Sequence, residues 1–507
     1  MDNKMAASPS VTPTASFFFQ FPLSSAGKPA AYSNLAGLVA LLLAIFLAGC
    51  QPIGSSFAPS RAEMDSTGDG GDAGARLSLF LNLKTPATQG VRMDITAIDI
   101  LSDTTWLPVS TQPIEMDAPT IGAGQLFLGR CKLPPGRYQR LRFTLGQASI
   151  RNNNGQRFFL ALDAPTVEIE FPAALSLERT ESRSLFITWD EENSLRTPPI
   201  LRPTLYIAPE LKQMVADLAY VACPDIDTVY VIRTDKNWVC DSMGVTGHPS
   251  CLAAVTANSR QRLYILAPKE AAIKVLELPN NFVDSLRIPM TVDPEFMTVS
   301  PNGRWAYILD AGGGYVLRMD LETGDVTTRV RLGHQPRYAT YIAESNLLAV
   351  TSALSQTVFL LDPTTLTEVG QIPTGRDPNG LLAWDNLLYI TESGANTVTI
   401  CDLNTRTIRS RLTVGFSPRR LIQNDNQIYV SNHDSDSISI LQPGQLSIVR
   451  EINLTGPPLE MAAAPKNRWL YAGNEKIGGL SVVDATTNRV AGQIIFGATP
   501  QGLAVIQ

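Results

Sequence analysis

The stretch from Gly375 to Asp402 reads GRDPNGLLAWDNLLYITESGANTVTICD. A glycine-to-proline turn opens it and a short apolar strand follows. Two further β-rich runs, Leu387 to Thr391 and Val398 to Asp402, are parted by the turn-forming Ser393-Gly394-Ala395-Asn396. The same turn recurs as Pro249 after Gly247, Pro294, Pro336 after Gly333, Pro378 after Gly375, Pro418 after Gly415, Pro458 after Gly456 and Pro500 after Gly497. The intervals are 45, 42, 42, 40, 40 and 42 residues, the length of a four-stranded propeller blade.

Each interval repeats its interior as well. Second strands are predicted at Leu218 to Ala222, Leu263 to Ala267, Trp305 to Leu309, Leu347 to Thr351, Leu387 to Thr391, Ile428 to Ser431 and Trp469 to Ala472. Third strands follow at Val229 to Ile232, Ile273 to Leu278, Tyr315 to Asp320, Val358 to Asp362, Val398 to Asp402, Ile438 to Leu441 and Leu480 to Asp484. The last proline turn is followed only by Gln501 to Gln507, one strand, and the first repeat lacks the strand ahead of Leu218. Together the two fragments make one blade. Residues 212–507 are therefore expected to form a seven-bladed β-propeller in which Gly502 to Ile506 pairs beside Leu218 to Ala222. Such closure protects sheet edges that an open array would expose.

Upstream of the repeats, apolar residues alternate with polar ones: Leu77, Leu79, Leu81; then Leu141, Phe143, Leu145; then Val167, Ile169, Phe171. Period two indicates strands with one buried face. Turns such as Pro134-Pro135-Gly136 and Asn152-Asn153-Asn154-Gly155 separate them, so residues 76–209 are expected to be a β-sandwich. The fold class is all-β. The acidic run Asp190-Glu191-Glu192 is read as a solvated loop rather than a cation site.

Residues 35–47 read LAGLVALLLAIFL, preceded by Lys28 and followed by Ala48-Gly49-Cys50. The run is short for a membrane span. Leu47-Ala48-Gly49-Cys50 resembles the lipobox of bacterial lipoproteins, which implies a signal peptide over 1–49 and a lipid on Cys50 that holds the exported chain to a membrane. Residues 50–75, rich in Gly, Ser, Ala and Asp, read as a flexible tether. Gln51 fits the pattern of lipoproteins passed to the outer membrane or cell surface.

Bulk properties agree with an all-β chain of several domains. Among 507 residues there are 36 Gly and 35 Pro, the hydrophobic fraction is 44%, and charged residues make up 17% with a net charge of -6. Neither a nucleic-acid surface nor a polybasic membrane patch is supported. A monomer is expected.

Two resemblances add to this. Leu388-Tyr389-Ile390-Thr391 and Ile428-Tyr429-Val430-Ser431-Asn432, with the turn Ser300-Pro301-Asn302-Gly303, resemble the YVTN-type repeats of lactonase-like propellers in bacterial and archaeal surface proteins. Leu133-Pro134-Pro135-Gly136-Arg137-Tyr138, Leu141-Arg142-Phe143 and Leu201-Arg202-Pro203-Thr204-Leu205 resemble a β-sandwich family of unknown function found in prokaryotic surface lipoproteins. Both imply architecture and location rather than chemistry.

In a propeller, residues after the repeated prolines meet at one mouth of the axial channel: Ser250, Glu295, Arg337, Asn379, Arg419, Leu459 and Gln501, with His248, His334, Arg376, Asp377 and Arg420 beside them. Candidate ligand-binding residues are His248, Glu295, His334, Arg337, Arg376, Asp377 and Arg419, because arginine forks suit carboxylates and phosphates. The expected role is a lipid-anchored binding or scaffold protein for a protein, glycan or cell-wall component. The alternative is a lactonase-like, metal-dependent hydrolase. Only three His are present, with no haem-attachment motif, nucleophile elbow, zinc-binding helix or phosphate loop, so no catalytic residue, metal site or cofactor is assigned. Of the six cysteines, Cys223 and Cys251 are the candidate disulfide, with Cys223–Cys240 and Cys240–Cys251 as rivals.

Overall fold

In the computed structural model, residues 74–506 are described apart from 88–89, 153, 198, 209–217, 258–259, 279–280, 334, 446 and 465–467. The leader, Cys50 and His334 lie outside the described residues. Residues 66–507 belong to one compact unit, almost entirely β, and no helix among the described residues is long and apolar enough to cross a membrane.

From residue 218 onward the described residues form seven four-stranded antiparallel sheets. Sheet I joins Gly502–Val505 to Leu218–Cys223, Thr228–Arg233 and Trp238–Gly244, and sheet II holds Cys251–Ala257, Arg260–Ala267, Ala272–Glu277 and Asn281–Arg287. Sheet III holds Pro294–Val299, Trp305–Asp310, Tyr315–Asp320 and Val326–Arg331, and sheet IV Pro336–Ile342, Leu347–Ser352, Thr357–Leu361 and Glu368–Pro373. Sheet V holds Pro378–Trp384, Leu387–Glu392, Thr397–Asp402 and Thr407–Thr413, and sheet VI Pro418–Asn424, Gln427–Asn432, Ser437–Leu441 and Ile448–Asn453. Sheet VII holds Pro458–Ala463, Trp469–Asn474, Gly479–Asp484 and Arg489–Ile495. The first strand of each is the inner one, and inner strands of successive sheets touch in cyclic order, with Gly502–Val505 between those of sheets VII and II. The pairing expected at the chain ends is present: Ala219 opposes Val505 and Ala222 opposes Gly502.

Second and third strands are buried on both faces, so their alternating side chains fill two different gaps. In sheet V, Leu388 and Ile390 join the apolar cluster shared with sheet IV, whereas Tyr389 joins that shared with sheet VI. The tyrosine of the repeat then reaches onward. Tyr264 donates to the Gly303 carbonyl of sheet III at 3.3 Å, Tyr429 to Asn488 Oδ1 of sheet VII at 2.8 Å and Tyr471 to Asn237 Oδ1 of sheet I at 2.6 Å. The Gly444 amide of sheet VI donates to the Tyr389 hydroxyl. Each bond ties one sheet to a turn of the next.

The end of each second strand is polar where the sequence needs an acceptor. Glu392 is fully buried, yet it accepts the Gly375 amide at 2.7 Å and the Thr397 and Thr399 hydroxyls at 2.6 Å. Asp310 holds the amides of Val292, Asp293 and Gly313 likewise. Buried carboxylates persist where donors converge on them.

The N-terminal region has two sheets around one apolar core. Four strands, Thr204–Ile207, Ser182–Asp190, Ala75–Leu83 and Leu126–Leu133, make one; the other is eight-stranded and centred on Val91–Ser102 and Gly136–Arg151. Leu77, Leu79 and Leu81 face Met93, Ile95, Leu141 and Phe143 across that core. One expectation needs correction: Ala75–Leu83 is buried on both faces. Its Phe80 points the other way, into the cluster between sheets VII and I, where Tyr230 and Phe496 lie with ring centroids 4.8 Å apart in a tilted pair. Ser78 Oγ meets the Tyr230 hydroxyl at 2.9 Å, and Arg130 donates to the Gly497 carbonyl at 3.1 Å. Gly244 is required at this contact, since a Cβ there would lie 2.1 Å from the Thr180 carbonyl. The N-terminal region thus lies across the seam where the chain ends meet.

The acidic run also differs from expectation. Asp190 and Glu191 are buried, not solvated. Lys84 Nζ bonds Asp190 at 2.7 Å and holds its carboxyl below the usual range, while Glu191 accepts the Val91 amide at 3.0 Å. The proposed disulfide is corrected too: Cys223, Cys240 and Cys251 are free thiols. Cys223 faces the gap between sheets VII and I, Cys240 that between I and II, and Cys251 that between II and III. No two share a gap, so neither the expected pair nor its rivals meet.

Candidate functional site

The prolines that announce each repeat also shape the centre of the ring. In sheets III to VII the inner strand bulges just after its proline: Pro378 opposes Glu392 but Leu381 opposes Ile390, and Pro418 opposes Asn432 but Leu421 opposes Val430. A bulge breaks the two-residue alternation and re-aims consecutive side chains. Hydroxyls on the second strand satisfy the displaced amides. Thr351 accepts from Tyr338, Thr391 from Gly380 and Ser431 from Arg420, and Thr351 and Thr391 also donate to the Asn379 and Arg419 carbonyls of the following sheet.

In sheet VI the second residue after the proline, Arg420, is thereby brought to the centre of the ring together with Arg419 beside it. Arg420 of sheet VI reaches in both directions, donating to Glu460 Oε2 of sheet VII at 2.8 Å and to Asn379 Oδ1 of sheet V. Its guanidinium carbon lies 4.7 Å from the ring centre of Tyr338 in sheet IV, whose ring packs at a tilt on Phe296 of sheet III, with centroids 4.3 Å apart. One arginine therefore touches three other sheets and sits at the axis. Burial opposes its charge, but Glu460 outweighs that and holds its pKa above the usual arginine value. Cys251 also borders this centre. Burial pushes its thiol up to about 12, and it donates to the Met297 carbonyl at 3.4 Å, so it is no nucleophile at neutral pH.

Glu295, Arg337, Asp377 and Arg419 lie at the proline ends of the inner strands and feel one another's charge. Arg337 and Asp377 form a loose pair at 3.8 Å. Glu295 touches solvent but is crowded by protein, and burial pushes its carboxyl up, with Arg337 pulling it back. Burial lowers the Arg419 pKa, and the neighbouring Arg420 lowers it further. The Arg419 guanidinium makes no hydrogen bond or ion pair with any described residue, although Asp434 and Asp377 lie within electrostatic reach. Of the other expected residues, Arg376 is turned to the Gly394 carbonyl at 2.8 Å, and His248 enters by its backbone amide, bonded to Asp227 at 2.9 Å. Neither side chain is bonded to the central four.

Tyr338 and Glu460 did not emerge from the sequence as site residues. The available signal was the second position after each proline, where Tyr338, Arg420 and Glu460 fall in register. As a cation site the mouth fits poorly, because Glu295 and Asp377 are interleaved with Arg337 and Arg419. Among the described residues no group of three or more His, Cys, Asp or Glu could hold a metal ion.

No protein-family model matches the chain, and no curated protein matches it. Solved structures do. A functionally unknown protein from Desulfotomaculum acetoxidans aligns with a TM-score of 0.52 at 13% identity, covering 58% of this chain and 99% of that one. A proposed 6-phosphogluconolactonase from Bacteroides fragilis aligns with a TM-score of 0.50 at 13% identity, covering 59% and 100%. At such identity the likeness shows fold alone: this is an all-β, propeller-like chain.

Proposed function

We propose that the chain is a seven-bladed β-propeller braced by an N-terminal β-sandwich, carried on the cell envelope by a lipid on Cys50, and that it is a binding protein. Its mouth takes an anionic group of a protein, glycan or cell-wall component between Arg337 and Arg419. The observation that carries this reading is Arg419: a half-buried guanidinium beside Arg420 and Arg337, which Asp434 and Asp377 offset only from a distance, and which has no bonded acceptor among the described residues. Like charges held together in this way favour a bound anion. Beneath them, Arg420 occupies the axis and makes the mouth a floor rather than a passage.

Thermal unfolding in matched ionic strength tests the site, with acetate, glucuronate and inorganic phosphate as probes. At least one should raise the melting temperature saturably in the wild type and leave Arg419→Gln unchanged. The reading fails if none of the three shifts the wild type, or if Arg419→Gln responds equally. The anchor is tested by Cys50→Ser, which should move the protein from the membrane fraction to the soluble one; retention in the membrane at unchanged size contradicts lipidation.

A further inference from the structure

The seam between sheets III and IV differs from its neighbours. At four other seams the repeat tyrosine closes the gap by bonding a turn of the next sheet. Tyr307 instead faces the ring of Tyr341, with centroids 6.1 Å apart, and the matching position in sheet IV is Ala349. A cleft of about 320 Å³ remains open there. It is formed where the inner strands end, opposite the proline ends that carry the mouth, because its turn residues Asn302 and Asn346 follow those strands.

The walls of this cleft are flat and its rim is polar. Arg318 lies with its guanidinium carbon 3.3 Å from the ring centre of Trp305, making a stacked platform, and its charge reaches the Tyr307 hydroxyl. Tyr341 forms the facing wall, its hydroxyl bonded to Asn346 Oδ1. Asn302 Oδ1 is likewise used, by the Ser300 hydroxyl and the Arg304 amide. With both amide oxygens engaged, the NH₂ groups of Asn302 and Asn346 are left to donate at the rim. The charge is balanced, since Arg304 pairs with Asp320 and Asp362 lies within electrostatic reach of Arg318. An anion gains little in such a place. A ring with apolar faces and hydroxyl acceptors on its edge gains from both the platform and the amides.

We propose that this cleft is a binding site for one neutral hexopyranose unit of a glycan, independent of the mouth. Saturation-transfer NMR and tryptophan fluorescence on the Cys50→Ser chain provide the test, with the methyl glycosides of glucose, galactose and mannose as probes. A single sugar in an open cleft should bind with a dissociation constant of about 1 mM. Asn346→Gly removes one donor on an exposed turn whose φ of +49° glycine accepts, so folding is kept. That variant and Trp305→Phe should each weaken binding at least about tenfold, as expected for a lost hydrogen bond or platform, while Arg419→Gln should bind as the wild type does. Failure of all three glycosides to bind, or binding unchanged in Asn346→Gly, would overturn the proposal. Loss in Arg419→Gln with retention in Asn346→Gly would place the sugar at the mouth and overturn it equally.

Discussion

Arg420 and Glu460 hold the centre of the ring, and their side chains keep only 22% and 19% of their surface exposed. Removing one partner from a buried pair strands the other charge, at a cost of about 3–5 kcal/mol when burial is complete. The remaining exposure of both side chains reduces that, and Glu460→Gln is expected to cost about 2 kcal/mol. In denaturant unfolding, the double variant Arg420→Met with Glu460→Leu should recover most of the loss, because no charge is left unpaired. Equal or greater loss in the double variant would show that the pair stabilises on its own account. Glu295 carries the pH signature. Its folded pKa is raised, so folding favours its protonated form, and stability falls as pH rises from the ordinary glutamate value through the raised one. Glu295→Gln should therefore raise the melting temperature at neutral pH and leave it unchanged at pH values below the ordinary glutamate pKa. A gain of equal size at both pH values would mean that the group does not titrate as described.

At the scale of elements, the proline bulge and the hydroxyl that serves it form one device. Thr391 accepts the Gly380 amide at 2.7 Å in a bond buried from water and donates to the Arg419 carbonyl at 2.9 Å in one that is partly buried. Thr391→Val keeps the shape and removes both bonds, so it should destabilise by about 1–3 kcal/mol, the cost of unsatisfied buried groups. Calorimetric unfolding that matches the wild type would sink this role. The same device explains what could be read from the sequence. Proline punctuates every inner strand, and the strands after it keep strict alternation, so Leu388, Tyr389 and Ile390 could be placed from spacing alone. At the bulge the alternation fails. A reading centred on the first residue after each proline included Arg420 as a neighbour but missed Tyr338 and Glu460, which hold the same second position. Burial of Asp190 and the second buried face of Ala75–Leu83 were hidden for another reason: both depend on partners distant in sequence, Lys84 for the first and Tyr230 for the second.

For the whole molecule, the seam is the place where distant parts of the chain converge. Gly502–Val505 completes sheet I, Tyr471 reaches Asn237 from sheet VII, and Phe80 of the N-terminal region fills the gap between sheets VII and I. Burying one phenylalanine contributes about 2–3 kcal/mol, so the N-terminal region braces the closure. The mouth and the cleft both depend on a ring closed by the strand Gly502–Val505. The most direct test is the melting temperature of the chain ending at Thr499, compared with the full chain. Removing the inner strand of sheet I should lower it by about 10 °C or more, as expected for the loss of several kcal/mol, and should speed amide exchange in Leu218–Cys223. A truncated chain that melts with the parent and protects those amides equally would contradict closure by the C-terminal strand.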